Sequence, residues 1–205
     1  TELEYAVRLT ENAADDSYCF RVTDAGVLYD GYTNIPELQI SFDPIVTNVS
    51  LNGGLDISLT GGTTTAVVAS GTVTDLNGVG DISTATTTFY RTSTPGLASC
   101  TPDNNSCYRV AGPQCSFDCD GVNTCVVSCT ADFQFHTDPT DLGSPNEVDE
   151  WFAFLEVEDF GGGLGFDTNA SGVEVLTLES FDVIGEIDYG TLAVNQDTGS
   201  FNAST

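Results

Sequence analysis

Cys115-Ser116-Phe117-Asp118-Cys119-Asp120-Gly121-Val122-Asn123-Thr124-Cys125-Val126-Val127-Ser128-Cys129 carries four cysteines placed symmetrically about one residue, Val122. Folded as a hairpin centred there, the segment sets Cys119 opposite Cys125 and Cys115 opposite Cys129. Strand side chains alternate with period two, so both pairs fall on one face. That geometry suits two cross-strand disulfides, and Cys100 with Cys107 is placed to close a short loop upstream. The pairing Cys115–Cys125 with Cys119–Cys129 stays open, because six cysteines allow about 15 connectivities. A staple of this kind persists outside the reducing cytosol, so an extracellular or cell-surface location is the expectation.

Four thiolates at close spacing can also ligate zinc or an iron–sulfur cluster. Against that reading, the chain has no C-x-x-C pair, and its one histidine, His136, lies outside the cluster. Cys19, the seventh cysteine, falls in the alternation Tyr18-Cys19-Phe20-Arg21-Val22. It reads as a buried free thiol or, more sharply, as an intersubunit bridge.

Outward from the hairpin, nearly every segment has strand character. Runs of Val, Ile, Thr, Phe and Tyr are punctuated by Gly, Asn and Asp clusters, and no stretch has helical periodicity. The candidate strands are 3–10, 18–23, 37–42, 47–51, 67–74, 84–91, 125–136, 150–157, 172–178 and 187–192. An all-β, immunoglobulin-like β-sandwich over residues 43–178 follows from that spacing, with a stapled hairpin insertion at 97–130. Residues 1–42 and 179–205 hold too few strands to stand alone. Each is expected to pair with the middle domain or with another copy of the chain.

The 205 residues include 31 acidic side chains against four arginines, with no lysine, for a net charge of −27. Phosphate neutralisation is therefore excluded as a binding mode, and with it nucleic-acid partners and a polybasic membrane contact. No apolar run approaches spanning length, so this segment is not expected to insert into a membrane. The chain has no methionine and opens on Thr1, which reads as a processed product or as part of something longer. Sequons at Asn48, Asn104, Asn169 and Asn202 mark candidate glycosylation sites.

A chain this acidic repels itself unless cations compensate, which points to calcium. Asp75-Leu76-Asn77-Gly78-Val79-Gly80-Asp81 sets oxygen side chains at intervals between two strands, although Thr86 stands where an EF-hand needs its bidentate glutamate. The bland alternative is a polar turn in which Asp and Asn bond the backbone. In a seven-strand sandwich the loop after the second strand, the loop between the last two and the leading linker share one end. Asp43, Asp75, Asn77, Asp81, Glu158 and Asp159 are therefore the candidate calcium ligands. A second acidic loop, with Asp138 and Asp141, is expected at the opposite end.

Catalytic templates fit poorly, and no enzymatic activity is expected. Without lysine there is no P-loop and no Schiff base. His136 alone would have to serve any Ser-His or Cys-His arrangement. Asp197-Thr198-Gly199-Ser200 spells an aspartic-protease signature, but that chemistry needs two such carboxylates sharing a proton.

Thr72-Val73-Thr74-Asp75-Leu76-Asn77-Gly78, Asp81-Ile82, the cysteine segment, Asp138-Pro139-Thr140-Asp141-Leu142-Gly143-Ser144 and Trp151, in this order, resemble immunoglobulin-like or cadherin-like modules of large, repetitive bacterial cell-surface proteins. Cys19-Phe20-Arg21-Val22-Thr23-Asp24 with Tyr32 resembles the last strands of a preceding module. Ile187-Asp188-Tyr189-Gly190-Thr191-Leu192 resembles the opening strand of the next. The resemblance implies an extracellular structural role, with copies of the chain or neighbouring modules as partners. The expectation is a building block of a surface fibre or filament that associates head to tail. A calcium-dependent carbohydrate- or ligand-binding adhesin module is the alternative.

Overall fold

A computed structural model describes residues 41–119 and 121–179, together with the strand segments β1 (Ser17–Cys19), β2 (Thr23–Asp24), β3 (Val27–Leu28) and β4 (Glu37–Gln39). Eight longer strands follow: β5 (Ile45–Leu51), β6 (Thr64–Thr74), β7 (Ile82–Arg91), β8 (Cys107–Ala111), β9 (Cys115–Asp118), β10 (Thr124–Gln134), β11 (Trp151–Asp159) and β12 (Leu164–Thr168). They form two four-stranded antiparallel sheets, ordered β5-β6-β10-β9 and β12-β11-β7-β8. In the leading segment, β1 pairs with β4 and β2 with β3. Short 3-10 turns are the only helical elements among the described residues, and no helix there is long and apolar enough to cross a membrane.

Period-two patterning explains the layering. In β6, Val67, Ala69 and Val73 point inward, and in β10 so do Cys125, Val127, Cys129, Ala131 and Phe133. From the other sheet Ala85, Thr87 and Phe89 of β7 face them, with Trp151, Ala153, Leu155 and Val157 of β11. One core cluster gathers Phe89, Phe133, Tyr108 and the wholly buried Trp151, so both sheets share it. Tyr108 stacks on Phe133 at 4.3 Å between ring centroids, and Trp151 lies 5.0 Å from Phe133. Trp151 Nε1 donates to the Asp138 carbonyl at 3.1 Å, which satisfies the one polar atom of the indole.

Cys115–Cys129 and Cys119–Cys125 form in the pairing that hairpin symmetry favours, and Cys100–Cys107 closes the short loop upstream. The β9–β10 register sets Cys115 opposite Cys129 and Phe117 opposite Val127, centring the hairpin on Val122. The segment 97–130, expected as an inserted excursion, is not set apart from the sheets. β8 and β9 each form one edge of a sheet, and β10 pairs with β6 from Thr124 to Gln134. The reason is packing: Val127 and Cys129 are fully buried in the core cluster that holds Leu155 and Val157.

Of the eight longer strands, β8 and β12 escape the sequence reading. β8 is short and interrupted by the exposed Arg109, and β12 begins directly after the glycines at 161–163, which read as a turn. Both strands are completed by pairing, β8 with β7 and β12 with β11, rather than by local pattern. Conversely, residues 172–178 make only isolated bridges, Trp151 to Val173 and Ile57 to Val175. The expected strands 3–10 and 187–192 lie outside the described residues.

Candidate metal centre at the linker end

Each sheet carries an inward row of small and apolar side chains that ends in a carboxylate. On β6 the row is Val67, Ala69, Gly71, Val73 and then Asp75, just past the strand; on β11 it is Trp151, Ala153, Leu155, Val157 and then Asp159. Asp75 is 0% exposed and Asp159 2%, so both carboxyl groups are out of water. Asp81, from the 3-10 turn Val79–Asp81, completes a trio in which one carboxylate oxygen of each residue lies within 4.8 Å of the others.

Backbone bonds fix the loops around this trio. Asp75 Oδ1 accepts from Asn77 N at 2.8 Å, and Asp81 N donates to Gly78 O at 2.9 Å. Phe160 N donates to Asp81 O at 2.8 Å, tying the 75–81 loop to the β11–β12 turn. Within that turn Gly163 N donates to Asp159 Oδ1 at 2.7 Å. The leading linker arrives at the same end. Phe42 N donates to Asn77 Oδ1 at 2.7 Å, and Ser41 Oγ reaches Asp159 Oδ2 at 3.4 Å. A Cβ on Gly163 would collide with both Asp43 Oδ1 and Asp159 Oδ2, so a residue without a side chain leaves the space these carboxylates occupy.

Of the six candidate ligands, the fold therefore gathers Asp75, Asp81 and Asp159, with Asp43 beside Asp159. Asn77 is adjacent, but its Oδ1 is engaged by the linker. Glu158 is not brought in. It occupies the outward row of β11 with Phe152, Phe154 and Glu156, and it is exposed.

Unit charges about 4.8 Å apart repel by roughly 3–4 kcal/mol per pair at an effective dielectric constant of about 20. Calcium binds oxygens at about 2.3–2.6 Å, so oxygens sharing one ion lie within about 5 Å of each other. The all-oxygen donor set and its spacing fit such a hard cation.

At the opposite end the acidic loop is bonded within the protein. Asp138 Oδ1 accepts from Asn105 Nδ2 at 2.9 Å, and its Oδ2 pairs with Arg91 at 3.4 Å. Asp141 Oδ1 accepts from the hydroxyl and the N–H of Thr177, bonds that hold its carboxyl below the ordinary range. Sequence reasoning missed the centre of this end, the ion pair of Arg91 with Asp149. Burial alone would raise the Asp149 carboxyl. Hydrogen bonds from Ser93, Thr92 and Arg91, with the Arg91 charge, together hold it below the usual value. The signal was present, since Arg91 ends the inward row Ala85, Thr87, Phe89 of β7.

Asn48 is exposed at the bulge of β5 with φ 55°, and Asn104 is exposed with φ 62°. Asn169 differs: it is 5% exposed, its Oδ1 accepts from Ala153 N at 2.7 Å and its Nδ2 donates to Ser171 O at 2.6 Å. Asn202, the Asp197 motif and the side chain of Cys19 lie outside what is described. His136 is exposed, with Nδ1 3.0 Å from Asn105 Oδ1.

No protein-family model matches the chain, and neither the curated proteins nor the solved structures give a match.

Proposed function

We propose that the chain is an extracellular structural module, the building block of a cell-surface fibre or filament that assembles head to tail by strand complementation and is stiffened by calcium. The observation that carries this reading is the convergence of Asp75, Asp81 and Asp159 where residues 41–43 join the preceding β-segment. A cation bound there would stiffen the junction between successive β-units. The strand order supports the immunoglobulin-like part of the reading. Taken in chain order as A, B, C, C′, D, E, F and G, strands β5 to β12 form sheets A-B-E-D and G-F-C-C′. Three disulfides and the acidic surface suit an oxidising exterior.

Electron microscopy of the native material with and without calcium tests the proposal. Extended polymers are expected. A compact, monodisperse monomer in calcium and in chelator alike overturns it. Thermal melts separate the metal from the polymer, since an ion bound only to the folded state must raise the melting temperature.

The alternative, a calcium-dependent carbohydrate- or ligand-binding module, draws on one observation. Phe154 and Phe166 pair at 5.5 Å on the outward face of the second sheet, and Phe166 is 61% exposed, a surface on which a sugar ring can stack. Calcium-dependent hits on a glycan array, lost in Phe166→Ser, would favour it.

A further inference from the structure

The tip of the β9–β10 hairpin is bonded to the acidic loop. Asp75 N donates to Asn123 O and Val79 N to Val122 O, both at 2.9 Å. Gly78 lies between these two donors with φ 102°, a backbone conformation that L side chains rarely adopt. A Cβ on it would stand 3.5 Å from Val122 O, so loop and tip lie against each other. β6 and β10 are paired up to Thr74 opposite Thr124, and the two further bonds continue that contact past the ends of both strands. Phe160 N to Asp81 O and Phe42 N to Asn77 Oδ1 also tie the loop to the fold.

The three disulfides stand differently towards this loop. Cys100–Cys107 packs with Tyr90 at the far end of β7, the end remote from Asp81. Cys115–Cys129 joins positions already held by the ladder and the core. Cys119–Cys125 alone closes the tip, spanning a sequence separation of six around Gly121, Val122 and Asn123. A turn with an exposed valine and a glycine has little packing to fix it, and a cross-link removes its alternative conformations.

We propose that Cys119 and Cys125 are positioning residues for the acidic loop: their disulfide holds the Val122 and Asn123 carbonyls where they fix Asp75 and Asp81 against Asp159. The clamp acts on the loop whether or not an ion is bound. Its consequence for cation affinity rests on the calcium reading above.

The test compares the full chain with Cys119→Ser/Cys125→Ser and with Cys100→Ser/Cys107→Ser. Amide hydrogen exchange in chelator is the first readout. In the 119/125 variant, exchange at Asp75 and Val79 is expected to quicken about tenfold or more while amides in the middle of β6, β10 and β11 stay protected. The 100/107 variant should leave Asp75 and Val79 unchanged. Unchanged exchange in the first variant, or equal loss in both, overturns the clamp. If the 119/125 variant does not fold, a water-soluble phosphine applied to the folded parent serves instead. It opens the disulfide to two thiols, water supplying the protons and the oxygen of the phosphine oxide, and the thiols are then alkylated and mapped. Terbium luminescence titration is the second readout, with affinity expected to fall about tenfold in the 119/125 variant only. A parent that binds no terbium refutes the cation reading, while the exchange data still decide the clamp.

Discussion

Asp75 and Asp159 end the inward rows of opposite sheets and meet at the linker end, with carboxylate oxygens within 4.8 Å. Their approach puts two buried carboxyl groups together, and Asp81 adds a third. In chelator, Asp159→Asn should melt higher than the parent, because neutralising one member removes repulsion of roughly 3 kcal/mol per pair before solvent screening. The amide oxygen can still accept from Gly163 N. For a chain of this size about 1 kcal/mol moves the melting temperature by about 2–4 °C, so a rise of a few degrees is readable by differential scanning calorimetry. The same variant should lose the stabilisation that calcium gives the parent. A lower melting temperature in chelator would show that the trio is not repulsive.

Arg91 bridges Asp149 and Asp138 with its guanidinium mostly out of solvent. Arg91→Ala leaves Asp149 buried without its cation and should cost about 3 kcal/mol in urea denaturation. Replacing both partners by leucine should recover part of that loss. The acid dependence has a definite sign. Asp149 ionises more readily folded than its ordinary value of 3.8, so its contribution is complete above about pH 5 and is lost as pH falls through 3.8 towards the lower folded value. The acid limb of the stability profile should therefore be shallower in Arg91→Ala.

Gly165 of β12 backs onto the Pro44 carbonyl, closely enough that any Cβ there would overlap it. Gly165→Ala must push the linker away from β12, at about 1–3 kcal/mol by equilibrium unfolding. Gly162→Ala is the informative contrast, since open space surrounds that position and only its φ of 83° opposes a side chain.

Asn169 caps the Ala153 N–H from inside the protein. Asn169→Ala should cost about 1–3 kcal/mol, because a buried donor is left without its acceptor. A glycosyltransferase acting on the folded chain should modify Asn48 or Asn104 and leave Asn169 bare, which peptide mapping by mass spectrometry would read.

Strand parity made much of this legible. Counting by twos from Trp151 reaches Asp159 and passes over Glu158; counting from Val67 reaches Asp75. Applied strictly, that count would have left Glu158 out of the candidate ligands. The hairpin symmetry likewise located Cys115–Cys129 and Cys119–Cys125. Less readable were features that depend on distant partners. β12 needs β11 beside it, and the Arg91–Asp149 pair joins residues 58 apart in sequence, a contact no local pattern encodes. The clamp between Val79 and Val122 was hidden for the same reason, although the β6–β10 register makes it inevitable once known.

The two short loops closed by Cys100–Cys107 and Cys115–Cys129 also set how far the chain can be drawn out. Residues inside a closed loop carry no tension when the chain is pulled from both sides. With sequence separations of 7 and 14, a reach of about 3.3–3.6 Å per residue, and Cα–Cα spans of 6.2 and 4.0 Å across the bridges, the oxidised chain is shorter at full extension by roughly 60 Å than the reduced one. Cys119–Cys125 is nested inside the larger loop and bears no load until Cys115–Cys129 opens. The cysteines thus store hidden contour length in two successive tiers, released only by reduction.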